Sequence, residues 1–170
     1  LGLLDGVEGM SFGEDQNSVH HPEVKTKMHM AQAFGCSPIA AAWNNGQTHV
    51  VPVKPDTIAK SLAIGNPADG IYALKVIQES GGSATATPEK TVAEGIELLA
   101  RTEGIFTETA GGVSISVLKS LVEAGAIKRD ERTVVYITGN GLKTQEVVEN
   151  AVNTLPIKPT MGSFESAFNA

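Results

Sequence analysis

Cysteine, tryptophan and aromatic residues in general are scarce in this chain of 170 residues. It has one cysteine, Cys36, and one tryptophan, and aromatic residues make up 5% of it. One cysteine excludes a disulfide within the chain, which fits a reducing compartment. A catalytic thiol would need a base beside it. We therefore interpret Cys36 as a packing residue, with a catalytic role as the weaker alternative.

Long hydrophobic runs and an excess of positive charge are also missing. The longest apolar runs, 38–43 and 134–137, are far shorter than the about 20 residues that cross a bilayer. With 13 Lys and Arg against 19 Asp and Glu, the net charge of −6 argues against a nucleic-acid surface. We therefore expect a cytoplasmic protein that binds neither membrane nor nucleic acid. The sequence begins at Leu1 rather than Met, which is typical of a fragment.

Strand-like and helical patterns alternate along the chain, separated by Gly, Pro and Asn. Short apolar runs predict strands at 48–53 and 133–138, the second apolar almost throughout, as in a parallel strand covered on both faces. Six helices are predicted. The first starts at Ser37 and Pro38 and ends at 44–46, the second covers 57–64, and the third contains Ile71, Leu74 and Ile77 and ends at 80–82. The fourth runs from Pro88 to Gly104, the fifth is opened by 104–112 and ends at Gly125, and the sixth covers 142–153. This rhythm predicts an α/β fold, a three-layer, open and mainly parallel sheet with flanking helices and right-handed crossovers.

The ends of the chain are less regular. Residues 1–26 contain glycines without helical or strand periodicity and are interpreted as an irregular lead. Residues 156–170 are interpreted as an extended tail that closes with a short helical turn, which places Phe164 and Phe168 on one side. The body of the predicted domain is 27–155.

Candidate site residues lie where predicted strands end, because ligands of an open parallel sheet bind at the carboxyl ends of its strands. Thr138 ends the strand at 133–138, and Gly139 and Gly141 behind it would let a flat ligand approach the backbone. Glu108 lies in the other strand-to-helix turn. A hydroxyl can donate to a pyridine nitrogen without protonating it, whereas a carboxylate would hold a proton there.

Both residues also have ordinary structural explanations. Thr138 can be a β-former that happens to end a strand, and Glu108 a carboxylate that complements a helix dipole. Periodicity alone favours these explanations, since a strand followed by Gly-x-Gly and a helix is common and defines no cofactor.

Histidines near the start of the chain are the only candidates for a metal site. His20, His21 and His29 lie near Glu23, but their spacing matches no closed zinc motif. We therefore interpret them as solvated histidines.

The segment GNGLK at 139–143 lacks the spacing of GxGxxG and the Lys-Ser/Thr context of a nucleotide P-loop. Lys143 could be suggested as a Schiff-base lysine. However, no neighbouring residue in the sequence would desolvate it or lower its pKa, so an exposed lysine at a helix start is the favoured interpretation.

Several ordered segments resemble the carboxyl-terminal half of threonine synthase. They are TIAKSLAIGNPADGIYALKVIQESGG at 57–82, LLARTEGIFTETAGGVSISVLKSLVEAGAI at 98–127 and VVYITGNGLKT at 134–144, and KMHMAQAFGCSPI at 27–39 is similar to the family's preceding strand and helix. The resemblance covers roughly 27–165. ITGNGLK is its most specific part, since related enzymes such as threonine dehydratase and cysteine synthase usually carry another turn there.

This resemblance implies part of the large domain of a fold-type II, tryptophan synthase beta-like, pyridoxal-phosphate enzyme. It implies a homodimer that converts O-phospho-L-homoserine and water into L-threonine and phosphate by elimination and addition on pyridoxal 5′-phosphate. By motif, Thr138 would hydrogen-bond the pyridine nitrogen beside Gly139. Glu108, in a TETAGG turn similar to the family's EPAGG or ETAGG, would lie near the cofactor face without an assigned proton transfer.

The departures from the family are equally specific. The Schiff-base lysine, the Asn beside the ring hydroxyl and the Gly-rich phosphate loop belong to the family's earlier half, and no segment here matches them, so no catalytic residue is assigned in this chain. Phe34 stands where the family often has Glu, and Ala63 stands where Arg is frequent in some members. A non-catalytic interaction module and a threonine or serine dehydratase therefore stay open as alternatives.

Overall fold

The computed structural model describes residues 26–151 and 155–168. The described strands, β1 (His29–Ala33) and β2 (Ser83–Thr87), pair in parallel with Met30 opposite Ala84 and Gln32 opposite Ala86. The helices are α1 (Pro38–Asn44), α2 (Gly70–Ser80), α3 (Glu89–Glu103), α4 (Thr109–Glu123) and α5 (Met161–Phe168), with 3₁₀ turns at Lys60–Leu62, Gly141–Lys143 and Gln145–Ala151. Within the described residues, no helix is long and apolar enough to cross a membrane.

The sheet lies between two layers of helices. Because side chains alternate along a strand, Met30, Ala84 and Ala86 face α1 and α2, where they meet Ile39 and Ile77. The opposite face carries Ala31 and Ala33. This face packs against α3 and α4, where the buried residues are Val92, Val113, Val117 and Leu121. This arrangement is the predicted three-layer α/β order with parallel strands.

Helix α4 runs opposite to β1. Val113, near its start, packs with Ala33 at the end of β1, whereas Leu121, near its end, belongs to the cluster that Ala31 borders. The start of α4 therefore lies at the carboxyl edge of the sheet, where ligands of open parallel sheets bind. This geometry brings Glu108 to the edge that the sequence pattern predicts.

Most predicted helix ends are confirmed. Helices α2 and α3 end at Gly81 and Gly104, whose φ angles of 68° and 69° are left-handed and favour glycine. Helix α1 begins as predicted, with Ser37 at the N-cap position and Pro38 in the first turn, but the Ser37 side chain makes no capping bond. Instead, the side chain of Gln32 in β1 accepts from the amide of Ile39 at 3.0 Å and from the next amide at 2.9 Å.

The predicted strands are not paired strands in the structure. Residues 48–53 and 132–138 form no ladder with any described residue, although the sequence of 133–138 is that of a buried parallel strand. A segment becomes a strand only when its backbone hydrogen-bonds to a neighbouring strand. The segment 133–138 has no such neighbour among the described residues, and its Val134 and Tyr136 are 60% and 68% exposed. Strand β2, by contrast, was not predicted.

Two predicted helices are also wrong in extent. The segment 57–64 contains only the 3₁₀ turn Lys60–Leu62, since the buried Thr57 hydroxyl accepts from the Ala59 amide and fixes a tight bend there. The segment 142–153 forms 3₁₀ turns with a kink at Val148 in its described part. The short terminal helix is confirmed as α5, with the rings of Phe164 and Phe168 5.1 Å apart. The predicted lead over 1–26 lies outside the described residues up to residue 25, and so do His20 and His21.

Candidate functional site

The backbone before α4 pairs with the backbone of the GNG turn. The Glu108 amide donates to the Gly139 carbonyl at 3.1 Å, and the Gly141 amide donates to the Phe106 carbonyl at 3.1 Å. The hydroxyl of Thr107 adds a third bond to the Gly139 carbonyl at 3.0 Å. These bonds bring together the two turns that the sequence singled out separately.

Glu108 is the N-cap residue of α4 and is only 5% exposed. Its side chain makes no capping bond to the helix, so its carboxylate is free to face the GNG turn. The Lys143 ammonium lies 3.5 Å from the Glu108 Oε1 atom. Lys143 is largely exposed, as predicted, but its ion pair with Glu108 was not foreseen.

Both glycines of the turn are required by close approach. A Cβ atom at Gly139 would collide with the Glu108 carboxylate, and one at Gly141 would lie 2.6 Å from the ring of Phe106. Any larger residue would push one of these groups away. The sequence predicts that the glycines let a ligand approach, and that stays a prediction. The structure shows that they make room for Glu108 and Phe106.

Thr138 precedes this turn and is exposed. Among the described residues, no hydrogen-bond partner engages its hydroxyl. Its predicted companions, Gly139 and Glu108, lie beside it, so the structure brings the predicted site residues together. Thr138 ends an extended segment rather than a paired strand.

Sequence reasoning missed the residues that hold this turn in place. Thr144 accepts from the Thr109 amide at 3.1 Å, and Asn140 accepts from the Leu142 amide at 2.9 Å. An Asn side chain that accepts from the amide two residues later is a recognisable turn signal in a sequence. The bond between Thr144 and Thr109 spans 35 positions, so no local sequence pattern predicts it. The Thr109 hydroxyl is buried and lacks a partner among the described residues.

The other candidates lie elsewhere. His29 is at the start of β1, where its Nδ1 atom is 2.9 Å from the Ser83 hydroxyl. Within residues 26–151 and 155–168, no cluster of side chains could hold a metal ion. Cys36 is buried, and burial raises the pKa of its thiol, which disfavours the thiolate that a nucleophile needs.

A further carboxylate joins three segments at the carboxyl edge of the sheet. Glu89 accepts from the Gly35 amide at 2.9 Å, the Thr57 hydroxyl at 2.8 Å and the Ile58 amide at 3.0 Å. The sequence pattern places Glu89 only inside the helix predicted from Pro88 to Gly104. It is the residue that joins the turn after β1 to the loop that contains Thr57.

Comparison with known proteins gives this edge a context. A family model described as pyridoxal-phosphate dependent enzyme matches residues 8–139. That range begins within 1–26, and the division at residue 27 stays a prediction.

Threonine synthases are among the similar sequences. The one from Methanocaldococcus jannaschii is 44% identical over 133 residues, which are 78% of this chain and 33% of the relative. The one from Mycobacterium bovis is 31% identical over an alignment of 175 positions, which covers 94% of this chain and 46% of the relative. The chain thus spans less than half the length of these relatives.

The fold has a counterpart of known structure. A fungal L-serine ammonia-lyase from Rhizomucor miehei matches with a TM-score of 0.54 at 17% identity, over 73% of this chain and 41% of that one. This likeness concerns the fold alone, and it agrees with the predicted fold-type II architecture. Since the family model covers residues 8–139, the chain belongs to the family of pyridoxal-phosphate dependent enzymes.

Proposed function

We propose that this chain is part of a threonine synthase, an enzyme that converts O-phospho-L-homoserine and water into L-threonine and phosphate. The observation that carries the proposal is the exposed Thr138 hydroxyl beside a glycine turn that is bonded to the buried Glu108 segment. The similarity to threonine synthases supports the choice of reaction.

The residues at this edge fit one side of a pyridoxal ring. Thr138 offers a hydroxyl without a partner among the described residues, and the neighbouring Gly139 has no side chain and packs on the Glu108 carboxylate. When bound, pyridoxal phosphate supplies an electron sink for the carbon chemistry of the substrate. A neutral hydroxyl at the pyridine nitrogen would orient the ring without giving it a permanent proton.

Glu108 has a supporting role in this proposal. Its carboxylate is buried and paired with Lys143, so it keeps the GNG turn in place and the charge near the ring balanced. The Lys143 side chain is 63% exposed and its ammonium is held by Glu108. These contacts support the interpretation that Lys143 is not the Schiff-base lysine, which we place in a part of the enzyme beyond the segments matched here.

Exposed apolar residues support the presence of such a further part. Val134 and Tyr136 of the unpaired segment are 60% and 68% exposed. Exposed apolar groups next to unpaired extended backbone are a surface that another strand can cover. We propose that the remaining part of the enzyme covers it, within a homodimeric, cytoplasmic protein whose body is 27–155 of this chain with a tail over 156–170.

The test uses the full chain together with the part of the M. jannaschii threonine synthase that lies outside the matched 133 residues. The two would be mixed with pyridoxal phosphate, and association followed by sedimentation. Phosphate release from O-phospho-L-homoserine and formation of threonine are then measured, with each component alone as the control. We expect association, a visible absorbance band of bound cofactor and stoichiometric release of phosphate and threonine.

Each other outcome contradicts the proposal. Association without phosphate release would favour a non-catalytic interaction module. Release of ammonia and a 2-oxo acid from threonine or serine, without activity on phosphohomoserine, would favour a dehydratase. Failure to associate would mean that the exposed segment is not covered in the proposed way.

A further inference from the structure

Phe34 is exposed although the backbone around it is held rigidly. Phe34 lies in the turn that follows β1 and is 72% exposed. We propose that Phe34 is a specificity-determining residue, an apolar contact for the aliphatic carbons of the amino-acid substrate, and that Glu89 is the positioning residue that holds it. This inference rests on the proposed function and names the side chain that would distinguish substrates.

Backbone bonds fix the turn on both sides of Phe34. The Phe34 amide donates to the Thr87 carbonyl of β2 at 2.8 Å, and the Cys36 amide donates to the Ala33 carbonyl at 2.9 Å. The hydroxyl of Ser37 donates to the Phe34 carbonyl at 3.2 Å. The Phe34 backbone therefore has little freedom while its ring faces outward.

Glu89 completes this arrangement from another element. One carboxylate oxygen accepts from the Gly35 amide at 2.9 Å, and the other accepts from the Thr57 hydroxyl and the Ile58 amide. The Asp56 amide donates to the Gly35 carbonyl at 2.8 Å. A single carboxylate thus joins the turn of Phe34 to the loop at 56–58, and charged acceptors form the stronger hydrogen bonds.

Gly35 allows this close contact. A Cβ atom there would collide with the Asp56 carbonyl and would lie 2.9 Å from the Glu89 carboxylate. The turn therefore tolerates no side chain beside Phe34, chiefly because the Asp56 carbonyl fills that space.

The Phe34 turn lies at the same edge as Glu108. Ala33, the neighbour of Phe34, packs with Val113 of α4, and at 1.5 Å per helical residue Val113 lies about 7.5 Å along the axis from Glu108. The backbone that carries the Phe34 ring is thus fixed near the predicted cofactor edge before a ligand arrives. A preorganised backbone lowers the ordering cost of binding.

The bonds to Glu89 can be tested in the full chain without any activity. Amide hydrogen exchange at Gly35 and Ile58 is measured by NMR in the wild type and in Glu89→Gln, with the exposed Glu94→Gln on the same helix as the matched control. Since Gln has one acceptor oxygen for three donors, we expect exchange about tenfold faster at these amides, and no change in the control. Unchanged exchange in Glu89→Gln would overturn the positioning role.

The specificity role is tested in the assembled complex described above. Phe34→Ala is compared with Tyr72→Ala, a second exposed ring that lines the groove beside Met28 at the other end of β1. We expect Phe34→Ala to raise the KM for O-phospho-L-homoserine about tenfold, the effect of losing an apolar contact, with kcat changed far less and assembly affinity unchanged. Glu89→Gln should shift KM in the same direction, and Tyr72→Ala should not.

Two results would overturn this role. An unchanged KM in Phe34→Ala would remove it, and a weaker assembly with normal KM would mean that the ring packs against the remainder of the enzyme. In both cases the wild-type complex is active, so the proposed function stands. A wild-type complex without phosphate release instead refutes the proposed function itself, and the specificity role with it.

Discussion

The carboxylate of Glu108 lies directly against Gly139, so closely that a Cβ atom on Gly139 would collide with it. The backbone bond from Glu108 to the Gly139 carbonyl holds the two residues in this contact. The glycine next to Thr138 therefore has a structural reason that does not depend on a cofactor.

Substitution at this contact is expected to destabilise the fold. Gly139→Ala would force the Glu108 carboxylate or the turn to move, and overpacking of this kind costs about 1–3 kcal/mol. Urea unfolding of the full chain measures the change in the free energy of unfolding. Gly162→Ala is the matched control, because an added Cβ at residue 162 would meet no atom within 4 Å. Equal stability of the two variants would contradict the close contact.

The Lys143–Glu108 ion pair is expected to contribute modestly to the free energy of unfolding. The carboxylate is buried but the Lys143 side chain is 63% exposed, so solvent screens the pair and a coupling of about 1 kcal/mol is expected. A double-mutant cycle with Lys143→Met and Glu108→Gln measures this coupling. It should weaken with added salt, and a coupling of zero at low salt would show that the pair has no influence on stability.

Burial of His29 predicts a pH dependence of stability. The pKa of His29 lies below its ordinary value of 6.5, first because burial disfavours the charged ring and second because Lys27 is near, with Glu131 opposing. The unfolded chain therefore binds a proton at higher pH than the folded chain. The contribution of His29 to the free energy of unfolding should fall as the pH drops below about 6.5 and level off below the folded pKa.

His29→Asn tests this pH dependence. Urea unfolding at a series of pH values should show a shallower fall just below pH 6.5 in the variant than in the wild type. The opposite slope, with stability rising as the pH falls, would contradict the direction of the shift.

Helix signals in the sequence were reliable where they are local. Gly81 and Gly104 end α2 and α3 with left-handed φ angles. Such an end can be predicted from the glycine alone, because glycine adopts this conformation most readily. The strands were harder to predict. Strand β2 has the sequence SATAT, whose small residues carry little hydrophobic pattern, and its identity depends on its ladder with β1.

The candidate site could be predicted only in part. The pattern identified Thr138, Gly139 and Glu108 as ends of elements, and the structure brings them together. The sequence pattern could not show that Glu108 packs on Gly139 or that Glu89 accepts from the Gly35 amide. Both contacts join residues far apart in the chain, and the second spans 54 positions. Contacts of that kind depend on the arrangement of whole elements and leave no local signal.

The central claim is that Thr138 presents its hydroxyl to the pyridine nitrogen of the cofactor. It is tested most directly by the absorbance spectrum of pyridoxal phosphate in the assembled complex, recorded for the wild type and for Thr138→Val. Thr133→Val, an exposed threonine of the same extended segment, is the control. We predict that Thr138→Val shifts the cofactor band and lowers phosphate release about tenfold, the effect of one lost hydrogen bond, while Thr133→Val changes neither. An unchanged band and unchanged turnover in Thr138→Val would contradict the claim.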